Sequence, residues 1–203
     1  AGTQKNAWLK VLTSQFPDKP KEEIRILDIG TGPGFFPVIL AEAGYHVDAV
    51  DYTEGMLEKA KENAGELCRN IRFQRMDAQK LEFADNTFDV VISRNLTWNL
   101  EHPDVAYREW VRVLKAGGKL LNFDANWYGY LYEEEQRKAY ENDRKNVENN
   151  SLDDHYLCTD IERMERIALQ VPLSKIRRPE WDVKTLREAG LLGIHTDTEI
   201  WKT

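Results

Sequence analysis

Leu27-Asp28-Ile29-Gly30-Thr31-Gly32-Pro33-Gly34-Phe35 decides how this chain is read. The apolar run Arg25 to Ile29 has the pattern of a buried strand, and it passes through glycines into helical spacing from Gly34 to Ala43. Glycine has no side chain and tolerates unusual backbone angles, so such a loop lets main chain approach a ligand closely. The helix start behind it offers unpaired N–H groups. A plain strand-to-helix turn has no need of Gly30, Gly32 and Gly34 together.

Outward from this loop, strand and helix patterns alternate. Ala7 to Phe16 is helical and ends at Pro17; His46 to Asp51 reads as a second strand and Glu54 to Ala64 as a helix. Ile71 to Met76 and Phe88 to Ser93 read as the third and fourth strands. Asp104 to Leu114 is helical, Ala116-Gly117-Gly118 a turn, and Lys119 to Asp124 the fifth strand. This rhythm predicts an α/β fold, a mostly parallel sheet with helices on both faces. From 126 to 178 the chain is polar, aromatic and charged, with helical patterns at Glu133 to Asn146 and Asp160 to Val171. A helix from Trp181 to Ala189 and a sixth strand near Ile194 to Trp201 follow. The expectation is one domain over 1–203, with 126–178 a helical lid inserted between the fifth and sixth strands.

Composition narrows the class. In 203 residues, 41% are hydrophobic and 31% charged, which suits a globular domain rather than a disordered one. Acidic residues outnumber basic ones, 35 to 28, for a net charge of −7. Phosphate neutralisation supplies most nucleic-acid affinity, so an acidic chain argues for a small-molecule partner and against nucleic acid. No run approaches the roughly 20 apolar residues that span a bilayer. Cys68 and Cys158 sit in no ligand-like spacing, and a reduced, cytoplasmic protein without a metal site is expected.

The loop separates two nucleotide ligands. A dinucleotide fingerprint wants G-x-G-x-x-G, but Phe35 stands where its third glycine belongs, and Gly34 comes one position early. Asp28 is an odd neighbour for a pyrophosphate and a good one for an ammonium group. That favours S-adenosylmethionine over NAD. Asp51 ends the second strand, roughly 20 residues past the first glycine, where a carboxylate can accept ribose hydroxyls from either ligand. Tyr52 and Met56 follow, placed to pack on an adenine, and Asp77-Ala78 ends the third strand where an acid can accept from its amino group. Thr31 in the loop and Arg94 at the end of the fourth strand complete the predicted cofactor set.

Taken in order, these segments resemble the class I S-adenosylmethionine-dependent methyltransferase family over Leu27 to Asp124, about half the chain. Its glycine motif matches Leu27 to Gly34, its ribose acid Asp51, its adenine-side acid Asp77, and its fourth motif Phe88-Asp89-Val90-Val91-Ile92-Ser93. Glu109 to Gly118 resembles the family's helix and turn before the fifth strand. The resemblance implies S-adenosylmethionine and a Rossmann-like sheet, and leaves the methyl acceptor open. The family ends in a sixth and seventh strand; the final one is not found here, which predicts a piece of a longer chain.

Asn95, Trp98, Trp127, Tyr128 and Tyr132 are the predicted acceptor-side residues, since they follow the fourth and fifth strands at the cleft mouth. Core packing competes for Trp98, and a helix face or dimer contact competes for the aromatic segment. His155 and Asp124 are the candidates for a catalytic base if the acceptor must lose a proton. Asp89 is assigned to the turn before its strand, and Lys175, Arg177 and Arg178 to an isolated surface cluster. An NAD-dependent oxidoreductase and a non-catalytic nucleoside-binding protein remain as alternatives.

Overall fold

The computed structural model describes residues 2–150 and 160–200. Its centre is a five-stranded sheet of β1 (Ile26–Ile29), β2 (Val47–Asp51), β3 (Ile71–Arg75), β4 (Phe88–Arg94) and β5 (Leu114–Phe123). All four pairings are parallel, and the order is β3-β2-β1-β4-β5. The helices are α1 (Gly2–Thr13), α2 (Phe35–Glu42), α3 (Glu54–Ala64), α4 (Pro103–Val113), α5 (Glu134–Asn150), α6 (Ile161–Ala168) and α7 (Glu180–Glu188).

Every residue of β1 and the first six of β4 are buried, as expected where helices cover both faces of a parallel sheet. On one face Ile26, Val90 and Ile92 pack with Leu12 of α1 and with Phe36, Ile39 and Leu40 of α2. On the other, Leu27, Ile29 and Val91 pack with Tyr107 and Trp110 of α4 and Leu186 of α7. Each fully buried side chain of this kind contributes about 1.5–3 kcal/mol. Among the described residues no helix is long and apolar enough to cross a membrane.

The structure departs from the sequence reading in three places. α1 begins at Gly2 and stops at Thr13, and Phe16 leaves it to meet Tyr45 edge-on at 5.3 Å. The Ala116–Gly118 turn lies inside β5, where the register jumps from Phe88–Leu114 to Val90–Lys119. Residues 115–118 bulge out there, and Gly117 takes φ +77°. The sixth strand is corrected: residues 191–200 form no strand. Leu191 and Ile194 turn onto the α4/α7 side of the core instead. Asp197 Oδ1 accepts the Glu199 N–H at 2.8 Å, a local bond that competes with a strand ladder.

The described residues of the 126–178 segment carry α5 and α6, with turns and single 3-10 turns around them. Tyr130 and Tyr140 stack with centroids 4.1 Å apart and planes 4° off parallel, which docks α5 on the turn before it. The Tyr130 hydroxyl donates to Glu165 on α6 at 2.9 Å.

Candidate cofactor and acceptor site

The strand order reverses direction between β1 and β4, and open α/β sheets bind ligands outside the carboxyl ends of the strands at such a point. The glycine loop sits there. The Gly30 and Thr31 N–H groups both donate to Val50 O, at 2.9 and 3.0 Å, tying the loop to β2. Gly34 has φ +85°, and a Cβ on it would lie 3.0 Å from Ala60 Cβ, so glycine is what lets α2 and α3 meet. Gly32 has φ +52° and nothing within 4 Å of a Cβ position, so it borders open space.

Asp51 closes the other side of the loop. Its Oδ2 accepts the Gly32 N–H and its Oδ1 the Thr53 N–H, both at 2.9 Å. A carboxylate has about four acceptor sites, so lone pairs remain for ribose hydroxyls. Tyr52 and Met56 are 67% and 46% exposed beside it. Arg75 steadies Tyr52, its Nε donating to Tyr52 O at 3.1 Å and its guanidinium 5.7 Å from the ring centre. Asp77 accepts from the Gln79 N–H at 2.8 Å, and Ala78 O accepts the Trp110 indole N–H at 2.9 Å. The loop after β3 is also held by Arg112 of α4, which donates to Leu81 O and Phe83 O at 2.9 and 2.7 Å.

Asp28 is only 3% exposed on β1. Burial pushes its carboxyl up to about 7; the Thr31 hydroxyl beside it and the Arg94 charge pull it down, and the Asp51 charge adds to the rise. A buried acid of this kind, next to an open glycine cradle and a ribose-competent carboxylate, fits a ligand that carries a nucleoside and an ammonium group.

Among the residues predicted for the acceptor side, Asn95 takes φ +54°, a conformation asparagine tolerates better than most residues, and its N–H donates to Phe123 O at 2.8 Å. Its polarity at a strand end therefore has a backbone reason. The Trp98 indole donates to Asn95 O at 3.1 Å, and its ring lies 5.1 Å from that of Tyr128. Trp127 and Tyr132 are largely exposed.

Asp124 is corrected from candidate base to structural anchor. Its side chain is 1% exposed and pairs with Arg178 at 3.1 Å. Oδ2 also accepts the Thr97 hydroxyl and, at 3.0 Å, the Trp98 N–H; Oδ1 accepts the Ala125 N–H at 2.8 Å and the Trp127 indole at 2.9 Å. A carboxylate so occupied has no lone pair facing an acceptor. His155, the other candidate base, lies outside the described residues. Arg178 is likewise corrected from surface cluster to buried hub, since it also grips Asp182 at 2.6 Å. Sequence reading missed Asp182, Thr97 and Tyr107; the i,i+4 spacing of Arg178 and Asp182 ahead of a helix was the available signal. Asp89 is more than a turn residue: it binds Lys19 and Lys115, each at 2.7 Å.

Residues 27–122 match the family described as "Methyltransferase domain". The chain is 39% identical over 98 residues to the demethylmenaquinone methyltransferase of Clavibacter sepedonicus, covering 48% of this chain and 39% of that one. It is similar to the solved S-adenosylmethionine-dependent methyltransferase of Mesorhizobium loti, at 25% identity and TM-score 0.51, over 61% of this chain and 56% of that one. A solved Bacillus halodurans protein at 22% identity shares the fold over 90% of this chain and 67% of its own, with TM-score 0.62. The chain spans about half or less of the length of the curated relatives it matches, 39% of the Clavibacter protein for one. Residues 27–122, matched as a methyltransferase domain and laid on a 3-2-1-4-5 parallel sheet, are similar to the class I S-adenosylmethionine-dependent methyltransferases.

Proposed function

We propose that this chain transfers a methyl group from S-adenosylmethionine to a small-molecule acceptor. The observation that carries the reading is the glycine loop folded around Asp51 at the β1/β4 switch point. Asp51 takes the ribose; Tyr52 and Met56 flank the adenine; Asp77 and Ala78 meet its edge; Asp28, Gly30, Thr31, Gly32, Gly34 and Arg94 line the amino-acid end. The cofactor supplies a methyl on a sulfonium, whose charge already activates the leaving group. The protein's work is to align the two partners and keep water out. Asn95, Trp98, Trp127, Tyr128 and Tyr132 form the acceptor wall, and residues 126–178 act as its lid. An apolar aromatic wall with few convergent polar groups suits a small organic acceptor. The Clavibacter relative, named for demethylmenaquinone, agrees with that class. A cytoplasmic setting follows from the cysteine spacing. No base is assigned.

Calorimetric titration with S-adenosylmethionine, S-adenosylhomocysteine and NAD tests the reading, with Asp51→Ala as control and thermal unfolding alongside. Binding of the first two and not NAD, lost in the variant, is expected. Binding of NAD alone overturns the reading in favour of an oxidoreductase. Binding without turnover on any acceptor panel favours a silent nucleoside-binding protein.

A further inference from the structure

Four half-buried rings follow one another from the loop after β4 to α5. Trp98 lies 5.1 Å from Tyr128, Tyr128 lies 5.9 Å from Tyr130, and Tyr130 stacks on Tyr140 of α5 at 4.1 Å. The residue between the first two tyrosines is glycine for a reason: a Cβ on Gly129 would run into Gln136 and Asn126, so the turn that carries both rings could not close. The series ends at an open cavity of about 290 Å³, lined by Tyr130, Leu131 and Tyr140 together with the exposed Arg137 and Glu141.

The polar handles of these rings are spent on the protein. The Trp98 indole donates to Asn95 O at 3.1 Å, and the Tyr130 hydroxyl donates to Glu165 at 2.9 Å. Trp127, next to Tyr128 in the chain and 48% exposed, gives its indole N–H to Asp124 at 2.9 Å. An indole has one donor and a phenol one proton, so none of the three keeps a hydrogen to give a ligand. What they turn outward is ring carbon. A sugar or a peptide laid on such a surface leaves its own polar groups unpaired, at about 1–3 kcal/mol each. A hydrocarbon loses nothing there and gains about 25 cal/mol for each Å² it buries.

We propose that the rings from Trp98 to Tyr140 and the cavity at Leu131 form a tail subsite, taking a hydrocarbon chain carried by the acceptor. The acceptor is then a molecule of two parts: a head that receives the methyl group in the cleft, and an apolar chain that lies along Tyr128 and Tyr130 and ends beside Leu131. The subsite rests on the methyl-transfer reading and deepens it, because it puts affinity into a part of the acceptor that does not react. Binding energy from such a remote part is available to align the part that does.

A series of phenols with para-ethyl, para-pentyl and para-heptyl chains, titrated calorimetrically into the chain loaded with S-adenosylhomocysteine, tests the subsite. Affinity is expected to rise about two- to fourfold per methylene in the wild type. A para-(methoxyethyl) phenol, whose chain is polar, should bind no better than the ethyl member. Leu131→Asp puts a charge into the cavity and should abolish the gain with chain length, while the ethyl member stays within about twofold of wild type. Unchanged affinity for S-adenosylhomocysteine certifies the fold of the variant, and Leu131→Gln replaces it if the aspartate variant unfolds. Wild-type affinity that ignores chain length, silence toward every phenol, or a gain that survives in the variant overturns the proposal. Equal weakening of short and long members overturns it too. Wild-type silence toward S-adenosylhomocysteine is a different failure: it removes the methyl-transfer reading itself, whereas a flat series on the loaded chain removes only the tail subsite.

Discussion

Arg178 Nη1 stands 3.1 Å from Asp124 Oδ2, with the two side chains only 7% and 1% exposed. Nε and Nη2 of the same guanidinium hold Asp182 at 2.8 and 2.6 Å, and Nη2 also reaches Thr97 Oγ1 at 2.8 Å. One cation therefore faces two carboxylates in a region closed to water. Tyr107 donates its hydroxyl to Asp182 and accepts from Asn122 Nδ2 at 2.9 Å. The network joins the end of the 126–178 segment to the loop after β4, the end of β5, α4 and α7. Because Asp124 also holds the Trp127 indole, the proposed acceptor wall has a charge pair behind it.

Removing Arg178 strands both acids. Arg178→Met is expected to lower stability by about 3–5 kcal/mol, the range for breaking a buried pair from one side. Asp124→Asn keeps the shape and the Arg178–Asp182 pair, so its loss should be smaller, about 1–3 kcal/mol. Urea unfolding measures both, and losses below about 1 kcal/mol would mean that the network is wet.

Gly32 and Gly34 should separate binding from folding. Gly34→Ala forces a Cβ onto Ala60 at φ +85° and should destabilise the fold by about 1–3 kcal/mol. Gly32→Ala puts its methyl into open space, so its stability cost stays near the backbone term of about 1–2 kcal/mol. Its main expected effect is weaker binding of S-adenosylhomocysteine. Thermal unfolding and calorimetry on the two variants check this, and unchanged binding by Gly32→Ala would mean that the loop does not face the ligand.

Asp89 should make the fold acid-sensitive. Burial alone would raise its carboxyl, but hydrogen bonds from Lys115, Lys19 and the Arg25 N–H outweigh that and hold it at about 2. A depressed carboxyl stabilises the folded state above its unfolded value and loses that contribution as pH falls toward the folded one. Stability is therefore expected to drop between about pH 4 and pH 2, by on the order of 2 kcal/mol from this group. Asp89→Asn should remove the step; an unchanged acid profile would assign the step to other groups.

Asp28 has the opposite sign. Its carboxyl is raised to about 7, so the folded chain holds the proton that the unfolded chain releases near 4. The ligand-free protein should lose stability as pH rises through that window, and Asp28→Asn should be the more stable protein at pH 8. An ammonium-bearing ligand favours the carboxylate, so S-adenosylhomocysteine should bind more tightly as pH climbs from 5 to 7, by at most about tenfold per unit. Titrations across that range should be flat for Asp28→Asn. A flat wild-type profile would separate Asp28 from the ligand.

Local pattern carried most of the sheet. Strands β1 to β4 lay within a residue or so of their apolar runs, and α3 coincided with its helical pattern, because buried parallel strands and helix periodicity are written in consecutive residues. The loop, Asp51 and Asp77 were legible for the same reason, each marking a strand end. What escaped depends on partners distant in sequence. Arg178 looked like part of a surface cluster because Asp124 and Thr97, which bury it, lie far upstream. Asp124 looked like a base because nothing nearby shows five donors converging on it. The alternation from Ile194 to Trp201 suggested a strand, but the Asp197 turn and the pull of Leu191 and Ile194 toward the α4/α7 core won over it.

Asp51 spends one oxygen on the Gly32 N–H and the other on the Thr53 N–H before any nucleoside arrives. The ordering of the cradle is thus met during folding rather than during binding, which leaves more of the contact energy for affinity. On the proposed reading the same carboxylate answers to two selections, one for a formed loop and one for a held ribose. A descendant that lost the proposed chemistry would still need Asp51 to shape the turn, so the loop's form does not depend on the reaction.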